Sequence, residues 1–225
     1  MIRKHPILPA QPVREYANDL AYKIASEQLA GNKDFKEQCR KSGARYVPAK
    51  NSVIIGCLNR LYSINIADGE IKFVDDSEAV PIRDKILILH YFLRATGTPL
   101  SGNLITYKEL QEGINYYPTF FKRAIEPIVS NFKDEPEKLL ETAATLDGVK
   151  SNYGDIAVTI KAFPYVPLTI VLWQGDKEFL PDGNILFDST ISDYLPTEDI
   201  TILCEIIAWK LVKLLKTGGD SSGKR

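Results

Sequence analysis

The chain has 225 residues, 44% hydrophobic and 25% charged, which is enough apolar material for one sizeable core. Its 28 basic and 29 acidic residues leave a formal net charge of −1, and this excludes the electrostatic footprint of a nucleic-acid binder. Cys39, Cys57 and Cys204 are too widely spaced for a zinc or iron–sulfur motif, and they fit three reduced thiols in a cytoplasm.

Residues 1–11 read as a proline-rich N-terminal arm with positive charge but no apolar stretch behind it, unlike a signal peptide. Val13, Tyr16, Ala17, Leu20, Ile24 and Leu29 then recur at helical spacing and predict a helix from Pro12 to Gly31. A short helix is expected over 33–42, closed by Gly43. Strands are predicted over 52–58, 61–66 and 70–74, the last two joined by Asp68-Gly69, because glycine accepts the positive φ of a tight turn.

Pro81 opens a very apolar helix reaching Thr96, whose longest apolar run is too short to span a bilayer. Thr106 and Glu109 have capping-box spacing for a short helical turn ending at Gly113. A helix is expected over 118–132, kinked or split by Pro127, and another over 137–146. Residues 155–163 and 166–173 read as strands, with Pro164 and Pro167 limiting ladder bonds between them. The final helix spans 196–216, with Ile200, Leu203, Ile207, Leu211 and Leu214 as its inner stripe, and 217–225 reads as a flexible tail. That tail fits G-x-x-x-x-G-K. It follows a helix and ends in Arg225, however, so it lacks the context of a phosphate loop. Strict β-α-β alternation is absent. The pattern predicts a single α+β domain over 1–216, an antiparallel or mixed sheet of about five strands covered by helices.

The chemistry-bearing residues fall in two places. From Asp176 to Asp199, the carboxylates Asp176, Glu178, Asp182, Asp188, Asp193, Glu198 and Asp199 face one base, Lys177. Converging carboxylates hold a divalent cation or divide acid and base roles, so Asp176, Glu178 and Asp188 are the candidate metal ligands. Leu180 and Pro181 stand where a calcium loop needs a ligand and a glycine, which favours a solvated acidic loop. His90 lies on the apolar helix with Arg94 one turn later, as a candidate ligand to heme or corrinoid beside an anion-binding guanidinium. A buried histidine satisfied by a neighbouring oxygen is the plainer alternative. Trp173 and Asp155 would wall the same pocket. Tyr116, Tyr117, Phe120 and Phe121, next to Lys122 and Arg123, fit either a flat ligand or ordinary core packing.

Several phrases resemble an uncharacterised family, the domain of unknown function 3786. They are Leu89-His90-Tyr91 with Gly97 and Gly102, Gly154-Asp155, Pro164-x-x-Pro167, Trp173-x-Gly175-Asp176-x-Glu178-Phe179, Leu186-Phe187-Asp188, and Tyr194-Leu195-Pro196-x-Glu198-Asp199. The resemblance covers roughly residues 80 to 210. It implies a prokaryotic, largely anaerobic setting, near iron–sulfur modules or corrinoid-dependent methyl transfer, and carries no established activity. No cysteine cluster precedes residue 80 here, so no electron transfer is implied.

The leading expectation is a cytoplasmic cofactor- or metal-binding accessory protein of anaerobic redox or corrinoid metabolism. Its ligand would be a tetrapyrrole or a divalent cation, and its partner a small-molecule cofactor, a corrinoid protein or an iron–sulfur protein. No nucleic acid and no membrane are expected. A carboxylate-dependent enzyme using Asp176 or Glu178 with Asp188, and an acidic protein-interaction domain, are the alternatives. The leading expectation requires His90 and the Asp176 loop to share one hollow.

Overall fold

A computed structural model describes residues 10–220, with backbone alone for 10–14 and 218–220. Residues 1–9 of the expected arm and 221–225 of the expected tail lie outside the described residues.

Alternating apolar residues build two antiparallel sheets where one was expected. The first holds β1 (Arg45–Val47), β2 (Ser52–Cys57), β3 (Arg60–Asn65) and β4 (Ile71–Phe73) in that order. Val53, Ile55, Tyr62, Ile64, Ile71 and Phe73 alternate onto its buried face. Leu58 and Asn59 both take positive φ, the geometry of a two-residue hairpin turn between β2 and β3. Gly69 has φ 73°, and a Cβ there would lie 2.7 Å from the Ser26 hydroxyl. A side chain at that turn would be strained by both.

The second sheet holds β5 (Leu104–Thr106), β6 (Val149–Ser151), β7 (Ile156–Phe163), β8 (Val166–Trp173) and β9 (Asp182–Asp188), in the order β5-β9-β8-β7-β6. Pro167 sits inside the β7–β8 ladder opposite Lys161, and a bulge between Lys161 and Phe163 absorbs its missing donor. The sheets meet where Leu58 N–H donates to the Ala162 carbonyl at 3.0 Å.

The helices are α1 (Ala10–Ala30), α2 (Phe35–Ser42), α3 (Ile82–Arg94), α4 (Gly113–Phe120), α5 (Glu126–Phe132), α6 (Glu137–Ala144) and α7 (Thr197–Asp220). α3 is central, packed against α1, α2 and α7. Its Tyr91 ring stacks on Phe163 at 4.1 Å, and its hydroxyl donates to the Ser42 carbonyl at 2.9 Å. The residues that recur at helical spacing in α1 do not all turn inward. Ala25 and Leu29 are buried, but Tyr16, Leu20 and Ile24 are exposed. The Tyr22 hydroxyl, donating to the Gly69 carbonyl at 2.8 Å, and Ser26 beside Gly69 set the rotation of that helix. α7 runs past residue 216 to Asp220, so Gly218 and Gly219 of the G-x-x-x-x-G-K string are helical. Among the described residues, no helix is long and apolar enough to cross a membrane.

Gly113 opens α4, where it was expected to close a turn. A Cβ at this position would stand 1.9 Å from the Tyr107 carbonyl oxygen. Between α4 and α5 the backbone forms a π-helical turn, Phe121–Ile125, in which Glu126 N–H reaches back five residues to the Phe121 carbonyl. Pro127 explains it. With no N–H it cannot continue the α ladder to Arg123, so the wider turn replaces the expected kink.

Candidate functional site

The residues singled out in the sequence fall at opposite ends of the second sheet. β9 has seven residues, Asp182–Asp188, and at about 3.4 Å each its ends are roughly 20 Å apart. The β8–β9 loop lies at one end. There the Asp155 carboxylate accepts from Gln174 N–H at 2.7 Å, and Trp173 pairs with Asp182. In the same loop Asp176 accepts from Glu178 N–H at 2.7 Å and Phe179 N–H at 2.8 Å, and these bonds hold its carboxyl below its ordinary value. Glu178 is exposed, and so are the apolar side chains of Trp173, Tyr153, Phe179 and Leu180.

Asp188 is at the far end, buried. Its oxygens accept from the Ser101, Gly102 and Thr190 backbone N–H groups and from the Ser101 and Thr190 hydroxyls. Burial opposes its ionisation, but these donors outweigh that and bring its pKa to about 2. Asp188 is therefore an anchor for the loop before β5, not a partner of Asp176 and Glu178. Among the described residues, no three His, Cys, Asp or Glu side chains gather as a metal site would require.

His90 and Arg94 are also at that far end. His90 Nδ1 lies 2.7 Å from a carboxylate oxygen of buried Asp199. The bond to Asp199 raises the imidazole pKa, against partial burial, with Asp199 and Glu198 adding attraction. The Arg94 guanidinium donates to the Ser192 carbonyl at 3.2 Å. The two residues expected on one ligand thus clasp the segment leading into α7. They share no hollow with the Asp176 loop.

The recessed polar cluster is elsewhere. A cavity of about 700 Å³ opens between the first turn of α3, α4 with its π turn, and the first three turns of α7. Thr197, Thr201 and Glu205 follow one another at four-residue intervals on the cavity-facing side of α7. Tyr116 and Thr119 of α4 and Arg123 of the π turn face them, while Phe120, Ala124 and Ile125 are turned into the core. Arg83 donates to both Glu205 oxygens, at 2.8 and 3.3 Å, and Arg123 donates to Glu205 Oε2 from the other side. Burial works against the Glu205 carboxylate, but the two guanidiniums prevail and hold its pKa below the ordinary value. The Arg83 and Arg123 side chains are 37% and 34% exposed and Glu205 18%, so all three charges are recessed yet reachable.

Tyr107 forms part of the wall. Its ring stacks on Phe120 at 3.9 Å, and its hydroxyl shares a 2.7 Å hydrogen bond with Thr201. Of the aromatic group noted in the sequence, Tyr116 lines the cavity and Phe120 is core. Arg83 and Glu205 gave no local signal. They are 122 residues apart, and Glu205 lies within a helix whose pattern reads as core.

Fold and site together define a two-sheet α+β domain with an arginine-lined cavity at its helical face. The chain belongs to the family described as Domain of unknown function (DUF3786), whose model matches residues 34–209. No curated protein and no solved structure matches it.

Proposed function

We propose that this protein is a binding module for a small organic molecule that carries an anionic group, taken up in the cavity between α3, α4 and α7. The observation that carries this reading is the Arg83–Glu205–Arg123 cluster in a recess of about 700 Å³. Pockets of this size that join a few convergent polar groups to apolar walls are the usual form of small-molecule sites. Two guanidiniums around one carboxylate leave a unit of positive charge on the cluster itself, set back from the exposed Glu112 and Glu198 at the rim, and an anionic group placed on the guanidiniums neutralises it.

The test is thermal denaturation of the full chain with and without a deproteinised small-molecule extract. Ligand binding raises the midpoint by mass action. The expected result is a rise for the natural sequence and none for an Arg83→Gln, Arg123→Gln variant. No rise for either, or an equal rise for both, counts against the cavity.

The corrinoid or tetrapyrrole setting is the finer form of this proposal. It is supported by the family resemblance and by the fit of a single propionate carboxylate to the arginine pair. Hemin and cobalamin titrations test it. An absorbance shift that depends on Arg83 supports a tetrapyrrole, and unshifted spectra remove that class. A reducing cytoplasm suits Cys39, Cys57 and Cys204, which are free and buried. Burial pushes all three thiols up, Cys39 to about 11, which makes them poor nucleophiles and poor metal ligands.

A further inference from the structure

Resting on the ligand-binding reading above, we infer that the cavity selects a monoanionic carboxylate attached to an apolar body, with Glu205 as the residue that enforces the preference. Arg83 directs two of its N–H groups at Glu205 and Arg123 directs one. Each guanidinium carries about five donors in a plane, so most of them are uncommitted among the described residues. A planar carboxylate accepts such donors in parallel pairs.

Charge sets the rest. Glu205 is a fixed negative charge within contact of both guanidiniums, so a ligand anion placed on their remaining donors lies close to it. One added negative charge makes the Arg83–Glu205–Arg123 cluster neutral, with the exposed Glu112 and Glu198 standing apart at the rim. Two, as on a phosphate monoester, turn it negative at the same short range, and like charges in a recess are penalised more than in open water. Glu112 and Glu198, exposed at the rim, repel a dianion further. Tyr107, Tyr116, Pro196 and Ile202 supply wall surface for an apolar body.

The test uses three probes that share a phenylethyl body: 3-phenylpropionate, 2-phenylethyl phosphate and 3-phenylpropanamide. Each is titrated into the full-length, ¹⁵N-labelled protein, reading the Arg83 and Arg123 Nε–H signals and the backbone signals of the cavity wall. The carboxylate is expected to move them saturably, with an affinity at least about tenfold above the phosphate and the amide. Glu205→Gln, which removes the fixed charge, is expected to reduce the carboxylate-to-phosphate ratio to below about threefold. Arg83→Lys keeps the charge but loses the fork and is expected to weaken the carboxylate by about tenfold, an independent check should Glu205→Gln fold poorly.

Phosphate binding as tight as the carboxylate overturns the inference and leaves the ligand-binding reading intact. Equal binding of the amide also overturns it, as does the absence of any shift from all three probes. The ligand-binding reading itself stands or falls on the extract experiment, so the two failures are told apart.

Discussion

At the scale of single residues, carboxylates of similar appearance in the sequence do different work. Glu205 sits between two guanidiniums, and removing it leaves both without a counter-charge in a recess. Glu205→Ala is expected to cost about 1–2 kcal/mol in urea denaturation, above an exposed pair and below a fully buried one. Asp188→Ala strips acceptors from three backbone N–H groups and should cost about 2–3 kcal/mol by the same measurement. The folded-state pKa of Asp188 is depressed, so its contribution is present above the unfolded value near 4 and is lost as pH falls toward about 2. His90 has the opposite sign. Its pKa is raised in the folded state, so its bond to Asp199 contributes fully below the unfolded value near 6.5 and is lost as pH rises through the folded one. An NMR titration should place His90 above an ordinary histidine, and Asp199→Asn should bring it down. His90, Asp155, Asp176 and Asp188 were legible as unusual residues. Their hydrogen bonds show why each draws attention without forming one site: they fasten loops and helix starts to the frame.

At the scale of elements, periodicity recovered most helices, and it failed where turn-forming residues sit in regular structure. β9 contains Asp182, Gly183, Asn184 and Asp188, which read as loop, yet its Ile185 and Phe187 side chains are buried. Only pairing with β8 on one side and β5 on the other makes it a strand, and that pairing is not local. α1 shows the reverse case, a helical spacing that was correct over residues of which Leu29 is buried and Tyr16, Leu20 and Ile24 are exposed. The π turn is the element with a consequence for the cavity, because it carries Arg123. Pro127→Ala restores the missing donor and should let an α register form through residues 121–127. The expected outcome is a stability change within about 1 kcal/mol, a shifted Arg123 Nε–H signal and weaker carboxylate binding. Gly113→Ala drives a methyl group into the Tyr107 carbonyl, and circular dichroism melts should show a loss of about 2 kcal/mol or more.

At the scale of the whole molecule, the class was legible and the site was not. Strand runs in two groups separated by helices point to an α+β fold, and the chain has that fold, with two sheets where one was expected. The cavity joins α3, the π turn and α7, with Glu205 lying 82 residues from Arg123 and 122 from Arg83 along the chain, so no motif announces it. The acidic β8–β9 loop, the most conspicuous stretch of the sequence, lies at the opposite end of its sheet from His90 and Asp188. In the function proposed above, two recessed arginines and the glutamate between them form a site for a small anionic molecule. Native mass spectrometry of the full chain, equilibrated with a small-molecule extract and then desalted, addresses it most directly. A single added mass is expected on the natural sequence and is lost in the Arg83→Gln, Arg123→Gln variant of matched helix content. A bare chain mass for the natural sequence, or the same adduct on both proteins, would contradict it.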